Sequence, residues 1–151
     1  MKIVTNPDIH TDILKQYIKP QFVQKFLDLF DSESTSEREY LKNILHKLYA
    51  KLVPRRKMIR KQIDQTLTNL IHEGHKHNGV GEMLDILGSI ASGYAIPLRE
   101  EHANFFKNIV IPLHKVQTSA KFFEQLMRLS MIFITKDRSL APLLVSGLLK
   151  Y

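Results

Sequence analysis

The feature that most constrains the fold is a helical spacing of apolar residues that recurs along nearly the whole chain. After Pro20, for example, apolar side chains line one face of a predicted helix: Phe22, Val23, Phe26, Leu27 and Phe30. Pro54, Gly74 and Gly93 separate such segments, as expected between helices. The only hairpin-type turn signal, at residues 78–79, is flanked by helical patterns. The pattern therefore predicts an all-α chain.

The order of the predicted helices indicates a repeat. They cover approximately residues 8–18, 20–30, 34–52, 55–73, 78–92 and 99–110, followed by a seventh that begins after Ser119 and a last over 140–151. Ser34 and Glu37 form a capping box, with the serine accepting from the Glu37 amide and the glutamate reaching back. From the third helix onward, helices begin about every 20 residues and pairs recur about every 40. We expect a HEAT/armadillo-like solenoid of about four helix pairs, with an ordinary globular bundle as the alternative.

Length and composition limit the possible classes. The 151 residues suit a single domain, and 44% hydrophobic with 25% charged residues indicates a globular chain. There is no cysteine, which excludes disulfides and thiolate sites and fits a reducing compartment. No apolar run approaches the roughly 20 residues needed to span a bilayer, and the N-terminus turns polar too soon for a signal peptide. We expect a cytoplasmic and/or nuclear protein without membrane partners.

The final residues, 148–151, are amphipathic and carry no cap. Terminal repeats of a solenoid need a polar outer face. We therefore expect residues 1–151 to be a fragment of a longer solenoid.

The sequence offers no catalytic or metal-binding motif. In the run H-E-G-H-K-H, His72 and His75 are three residues apart rather than four, and Gly74 interrupts the helix before His77. A solvated helix end explains this run better than a zinc site. The run at 100–102, Glu-Glu-His, points its side chains in different directions and is typical of an acidic first helical turn. We predict a non-enzyme without metal or cofactor.

A basic run is the strongest local feature. Six basic residues fall within eleven positions: Lys51, Arg55, Arg56, Lys57, Arg60 and Lys61. The net charge of +7 also favours acidic partners. Cations at a helix start oppose the helix dipole, which favours anion binding over a simple solvated face. The run lacks the aromatics that stack on bases, so nucleic acid is not the favoured partner. A nucleic-acid-binding or general scaffold protein is the alternative, and a nuclear localisation signal is another reading of the run.

Two neighbouring helices of the predicted solenoid supply a candidate pocket. His46 and Tyr49 share a face of one helix, with Lys47 beside them, and Ile86 and Ile90 lie four apart on the other. Alternate helices of a solenoid line its concave side, so these residues and the nearby arginines would form an apolar pocket with a basic rim. Such a pocket suits a short acidic peptide with a hydrophobic anchor. From spacing alone, inter-repeat core is the favoured interpretation of the same residues.

Several stretches occur in order along nearly the whole chain: FLDLFDSE at 26–33, IRKQI at 59–63, HNG at 77–79, LDILGSI at 84–90, PLREEH at 97–102, IPLHKV at 111–116 and LLKY at 148–151. Together they resemble the B-prime regulatory subunits of protein phosphatase 2A. They cover less than half of that family's conserved core. The resemblance implies a non-catalytic HEAT-like subunit. It would join a scaffold and a catalytic subunit and select substrates by binding L-x-x-I-x-E motifs in a concave groove.

The resemblance also assigns groove residues. Matching positions are His46, Lys47, Tyr49, Arg56, Ile86, Ile90, Arg99 and His102, with Lys47 replacing a family arginine and Arg99 a family lysine. It implies that the two isoleucines and Tyr49 bury the isoleucine of the motif, while the basic residues face its acidic positions. For these positions, the resemblance therefore favours residues that line a groove over residues of the inter-repeat core. Lys47 keeps the charge but lacks the planar fork of arginine.

Overall fold

The computed structural model describes residues 16–74 and 76–150, and these contain helices and no strand. The helices are α1 Pro20–Leu29, α2 Thr35–Lys51, α3 Arg56–Glu73, α4 Val80–Ser92, α5 Glu100–Phe105, α6 Ile111–Leu113, α7 Phe123–Lys136 and α8 Leu140–Leu149. This confirms the predicted all-α class. Most of the helix predicted for residues 8–18 lies outside the described residues. Across the described ranges, every helix is too short or too polar to cross a membrane.

The helices stack in two layers. In the first layer α1 packs on α3, and α3 packs on the π-helical segment Phe106–Val110 that joins α5 to α6. In the second layer α2 packs on α4 and α4 on α7, while α8 contacts α6 and α7. The pairs begin at residues 20, 56 and 100, which are 36 and 44 residues apart. This is the recurring helix pair that the sequence predicts.

Helix α4 lies at the centre of the second layer. It has α2 on one side and α7 on the other, so most of its circumference is buried. Its buried residues are Val80, Gly81, Met83, Leu84, Ile86, Leu87, Gly88, Ile90 and Ala91. Each large apolar side chain buried in this way contributes about 1.5–3 kcal/mol relative to exposure. Stacking of pairs is therefore what stabilises each pair.

Local signals set most helix ends. The Ser34 Oγ accepts from the Glu37 amide at 3.3 Å, which confirms the predicted cap. The return bond predicted from the Glu37 side chain is wrong, because the Ser34 amide donates instead to Ser32 Oγ at 3.1 Å. Pro54 lies in a 3-10 turn that ends α2, as expected of proline. Gly74 ends α3 at φ 68°, in the left-handed region that favours glycine.

The later helices differ in detail from the sequence prediction. The helix predicted for 99–110 passes through the π-helical segment and continues to Leu113. Phe106 and Ile109 are buried as expected, but Phe105 is only half-buried. On α7, Phe123 and Met127 are exposed although their spacing predicts an apolar face. Only one side of α7 packs on α4, and that side carries other residues.

The connection between α3 and α4 is hydrogen-bonded to the residues that follow α1. The Asn78 amide donates to Asp31 Oδ1 at 2.8 Å, and the Asn78 side-chain amide donates to the Asp31 carbonyl at 3.0 Å. Gly79 then lies directly against buried Phe30. A Cβ at Gly79 would stand 2.3 Å from the Phe30 carbonyl oxygen, so the absence of a side chain there permits the contact. The 78–79 signal thus marks a helix start rather than a hairpin.

Two acidic side chains are notable: Asp85 links helices of the second layer, and Asp64 of the first layer is largely buried. Asp85 on α4 lies 3.5 Å from Lys42 Nζ on α2 and 3.1 Å from Arg128 Nη1 on α7. On α3, burial raises the pKa of Asp64 from 3.8 to about 7; neighbouring Arg60 opposes this shift. The Asp64 carboxylate therefore carries a desolvation cost near neutral pH.

The Gly79 contact predicts a position-specific effect on stability. Gly79→Ala should lower the free energy of unfolding by about 1–3 kcal/mol, because backbone atoms of Phe30 must move to admit the Cβ. Gly88→Ala is the matched control, since its Cβ would meet only the Ile132 side chain at 3.5 Å. Gly88→Ala in mid-helix should be neutral or stabilising. Chemical denaturation of both variants is the measurement, and equal stabilities would contradict the close packing.

The raised pKa of Asp64 predicts a pH-dependent effect. The folded state binds a proton at Asp64 more readily than the unfolded state, so this group destabilises the fold as pH rises from about 4 towards about 7. Asp64→Asn removes that cost. Its gain in unfolding free energy over the parent should increase with pH across this window and level off above it. A gain that is constant from pH 4 to pH 8 would show that Asp64 ionises normally.

Candidate functional site

A cavity of about 470 Å³ lies where α2, α3 and α4 meet the loop before α5. Its lining residues are His46, Tyr49, Ala50, Arg56, Arg60, Ser89, Ile90, Gly93, Tyr94, Ala95, Arg99 and His102. These come from two successive helix pairs and the start of the third. The cavity therefore lies between helix pairs, where the sequence predicted neighbouring helices to meet, and we call it the inter-pair cavity.

Six of the eight predicted site residues line this cavity: His46, Tyr49, Arg56, Ile90, Arg99 and His102. Lys47 is exposed and lies outside the lining. Ile86 is only 2% exposed and also lies outside it. Ile86 is one helical turn before Ile90, and the cavity reaches only the last turn of α4. The binding roles of all eight stay predictions.

The guanidinium group of Arg56 lines the cavity in a fixed position. Its Nε donates to the Tyr49 carbonyl at 2.9 Å and its Nη2 to the Ala50 carbonyl at 3.2 Å. These carbonyls belong to the last turn of α2, where unpaired carbonyls favour a cation. The guanidinium carbon also lies 5.1 Å from the centre of the Tyr49 ring. Arg56 is thus held in place before any ligand binds.

Arg60 is the lining residue that the site prediction missed on α3. Its Nη1 donates to the Tyr49 hydroxyl at 2.9 Å, and its Nη2 lies 3.9 Å from Glu101 Oε1. A signal for it was available, because residues four apart share a helix face and Arg60 follows Arg56 by four. The basic run is consequently divided, with Arg56 and Arg60 towards the cavity and Lys57 and Lys61 exposed.

Tyr94 is the second missed residue, and its loop position gave no periodic signal. Its ring stacks on His102, with centres 3.6 Å apart and planes 12° apart. It also meets Phe133 of α7 edge-on at 6.2 Å. Lys136, at the end of α7, donates to the Ser92 carbonyl at 2.8 Å and to the Tyr94 carbonyl at 2.9 Å. The third helix pair therefore fixes a loop that forms part of the cavity wall.

Among the described residues, Glu101 is the acid that lies within 4 Å of several of these basic side chains. Its Oε1 lies 3.5 Å from Arg99 Nη1 and 3.7 Å from His102 Nε2, in addition to the Arg60 contact. Burial lowers the pKa of His102; Glu101 opposes this, and Arg60 and Arg99 reinforce it. The imidazole is therefore neutral near neutral pH and interacts through hydrogen bonding and stacking rather than charge.

The cavity combines an apolar wall of Tyr49, Ile90 and Tyr94 with the guanidinium groups of Arg56, Arg60 and Arg99. This combination suits a ligand with an apolar side chain and carboxylates.

The described histidines at the end of α3 lie apart from other possible metal ligands. Within the described ranges, no three histidine or acidic side chains converge as metal ligands. His72 is exposed, the His77 Nδ1 accepts from the Gly79 amide at 3.0 Å, and His75 lies outside the described residues. His77 thus lies in the turn before α4 and is bonded to the backbone of that turn.

Comparison with known proteins shows which family the chain resembles. The family model described as protein phosphatase 2A regulatory B subunit (B56 family) matches residues 1–151. The chain is 45% identical over 151 residues to the B' beta isoform of the 57 kDa regulatory subunit of serine/threonine protein phosphatase 2A from Arabidopsis thaliana. It is 42% identical to the human 56 kDa regulatory subunit delta isoform and to the Caenorhabditis elegans regulatory subunit pptr-1.

These alignments cover 100% of this chain but only 30%, 25% and 28% of the three relatives, respectively. The relatives are named as regulatory subunits, which confirms the family resemblance and the non-catalytic class that it implies. The chain belongs to the B56 family of protein phosphatase 2A regulatory B subunits.

Proposed function

We propose that this chain is the substrate-selecting part of a protein phosphatase 2A regulatory subunit and binds acidic L-x-x-I-x-E segments in its inter-pair cavity. The observation that carries the proposal is a single cavity with an apolar wall and three arginines. The proposal includes assembly with scaffold and catalytic subunits, in a cytoplasmic or nuclear location. The similarity to regulatory subunits of protein phosphatase 2A supports the regulatory role.

The apolar anchor of the peptide would enter between Ile90 and the rings of Tyr49 and Tyr94. Burial of an isoleucine side chain contributes about 1.5–3 kcal/mol. The stack of Tyr94 on His102 holds the ring wall in position, so little side-chain freedom is lost when the ligand arrives. Ile86 would support this wall from the core rather than contact the ligand.

The acidic positions of the peptide would face the arginines. Arg56 is fixed by carbonyls of α2 and Arg60 by the Tyr49 hydroxyl, so both guanidinium groups are positioned in advance. Charge-assisted hydrogen bonds to carboxylates are stronger than neutral ones, and guanidinium presents two parallel donors. Arg99 is 77% exposed and suits the rim. Exposed Lys47 would add long-range attraction only.

The alternative, a nucleic-acid-binding scaffold, rests on the basic run. Nucleic acid requires a continuous line of cations for successive phosphates. The division of the run between the cavity and an exposed side of α3 favours the peptide.

The apolar anchor can be tested at Ile90. Ile90→Thr should weaken binding of a fluorescent L-x-x-I-x-E peptide by about tenfold, because the wall loses apolar surface and gains a hydroxyl. Ile132→Thr makes the same change on α7 outside the cavity and should leave affinity within about twofold.

The peptide itself provides the second control. A copy with both apolar anchors changed to alanine should not bind at comparable concentration. Equal binding of both peptides would show that only charge is read, in favour of the nucleic-acid alternative. Failure of the folded chain to bind either peptide would reject the proposal.

Glu101 should compete with the ligand for the arginines. Glu101→Gln should raise affinity for the same peptide by about two- to fivefold at low salt, because Arg60 and Arg99 lose a competing carboxylate. Glu100→Gln removes the same charge from the neighbouring exposed position, for which no contact with the arginines is seen. A similar gain in both variants would reflect net charge alone. A loss of affinity in Glu101→Gln would mean that the carboxylate positions the arginines.

A further inference from the structure

A second binding region lies on the loop edge of the stack. Two adjacent cavities, of about 370 and 200 Å³, open between the α3–α4 connection and the segment that links α6 to α7. Both are lined by Lys76 and Thr118, so they form one cleft, which we call the loop-edge cleft. It shares no lining residue with the inter-pair cavity.

The larger half of the loop-edge cleft is mainly apolar. Its wall comprises Leu70 and Ile71 from the last turn of α3 and Pro112 and Val116 from the opposite segment. Leu70 belongs to the core, whereas the other three are only partly buried and present apolar surface to the cleft. This half has the size and character to receive one apolar side chain.

The smaller half is basic. Arg38, Lys76, His77 and Lys121 line it. Arg38 is neutralised by Glu82 at 3.1 Å, and burial lowers the pKa of His77, so these two add little net charge. Lys76 and Lys121 are exposed, and within the described part of the chain neither side-chain ammonium makes an ion pair or hydrogen bond. Their charges are available to a ligand.

The described lining of both halves contains no aspartate or glutamate. The positive potential of the two lysines is therefore not balanced by an acid in the wall. The first turn of α4, at Val80 and Gly81, lies in the same wall, and its cap residue Gly79 supplies no side-chain acceptor. The N-terminal end of this helix adds to the attraction that the lysines exert on an anion.

We infer that the loop-edge cleft binds an acidic segment of a partner polypeptide, with one apolar side chain in the larger half and carboxylates at Lys76 and Lys121. The adjacency of an apolar pocket and unpaired cations carries this inference. The basic half alone would equally suit a simple anion, and the apolar half alone would equally suit an apolar molecule. Only the two together favour a peptide. Because lysines on flexible stems supply the charge, we expect binding that weakens strongly with salt.

The test uses the whole chain and a fluorescent peptide, Glu-Glu-Leu-Glu-Glu, with anisotropy at low salt as the readout. The double variant Lys76→Glu/Lys121→Glu should lose affinity by at least about tenfold. Lys25→Glu/Lys107→Glu is the matched control, with the same change in net charge at exposed lysines outside both cavities. It should retain affinity within about threefold. Thermal unfolding checks that each variant is folded.

Two further comparisons test where on the protein the probe binds. Arg99→Glu, on the rim of the inter-pair cavity, should weaken probe binding less than Lys76→Glu/Lys121→Glu does. A probe with leucine changed to alanine should bind several-fold more weakly. Absence of probe binding, an equal loss in the Lys25→Glu/Lys107→Glu control, or a loss in Arg99→Glu as large as that in Lys76→Glu/Lys121→Glu would each overturn the inference. Equal binding of the alanine probe would overturn the role of the apolar half.

Discussion

Every helix pair in this chain has an apolar face that only a neighbouring pair can cover, and α4 shows the consequence most directly. It packs against α2 on one side and α7 on the other, and its side chains are buried around most of its circumference. The inter-pair cavity opens at the last turn of this helix, where Ile90 meets Tyr49 from the pair before. The site is thus a property of the seam between pairs. The contact of Gly79 with Phe30 and the Asp31–Asn78 bonds fix the relative position of the same pairs from the opposite end of α4.

Apolar spacing and turn residues were enough to predict the helices and their pairing, because each signal acts locally. Ser34, Pro54 and Gly74 all mark helix ends as expected. The site was harder to predict. Ile86 and Ile90 are equivalent in the sequence pattern, yet only Ile90 reaches the cavity. Which apolar residue of a helix buried on most sides faces a groove depends on the neighbouring helices, and spacing does not encode them. Tyr94 was missed for a related reason, since its position comes from stacking on His102 within a loop.

The two charged surfaces of this protein differ in how their cations are held. In the inter-pair cavity, Arg56 is bound to main-chain carbonyls and Arg60 to a tyrosine hydroxyl, so the positions of the guanidinium groups are fixed in the free protein. In the loop-edge cleft, Lys76 and Lys121 are free to move on flexible side chains. A fixed guanidinium selects the direction of a carboxylate, whereas a mobile ammonium senses mainly the amount of nearby charge. We therefore expect selectivity from the first surface and long-range attraction from the second.

The bonds from Lys136 to the Ser92 and Tyr94 carbonyls have a consequence for engineering this fold. Repeat proteins invite the exchange of whole helix pairs as modules, on the assumption that each module carries its own function. Here the donor lies at the end of α7, a full pair beyond the loop that it holds. A chimera cut between α4 and α5 would therefore contain Ile90, Tyr49 and both cavity arginines of α3 and still leave Tyr94 without its support. The residues that form and hold the inter-pair cavity thus extend beyond the boundaries of one structural repeat.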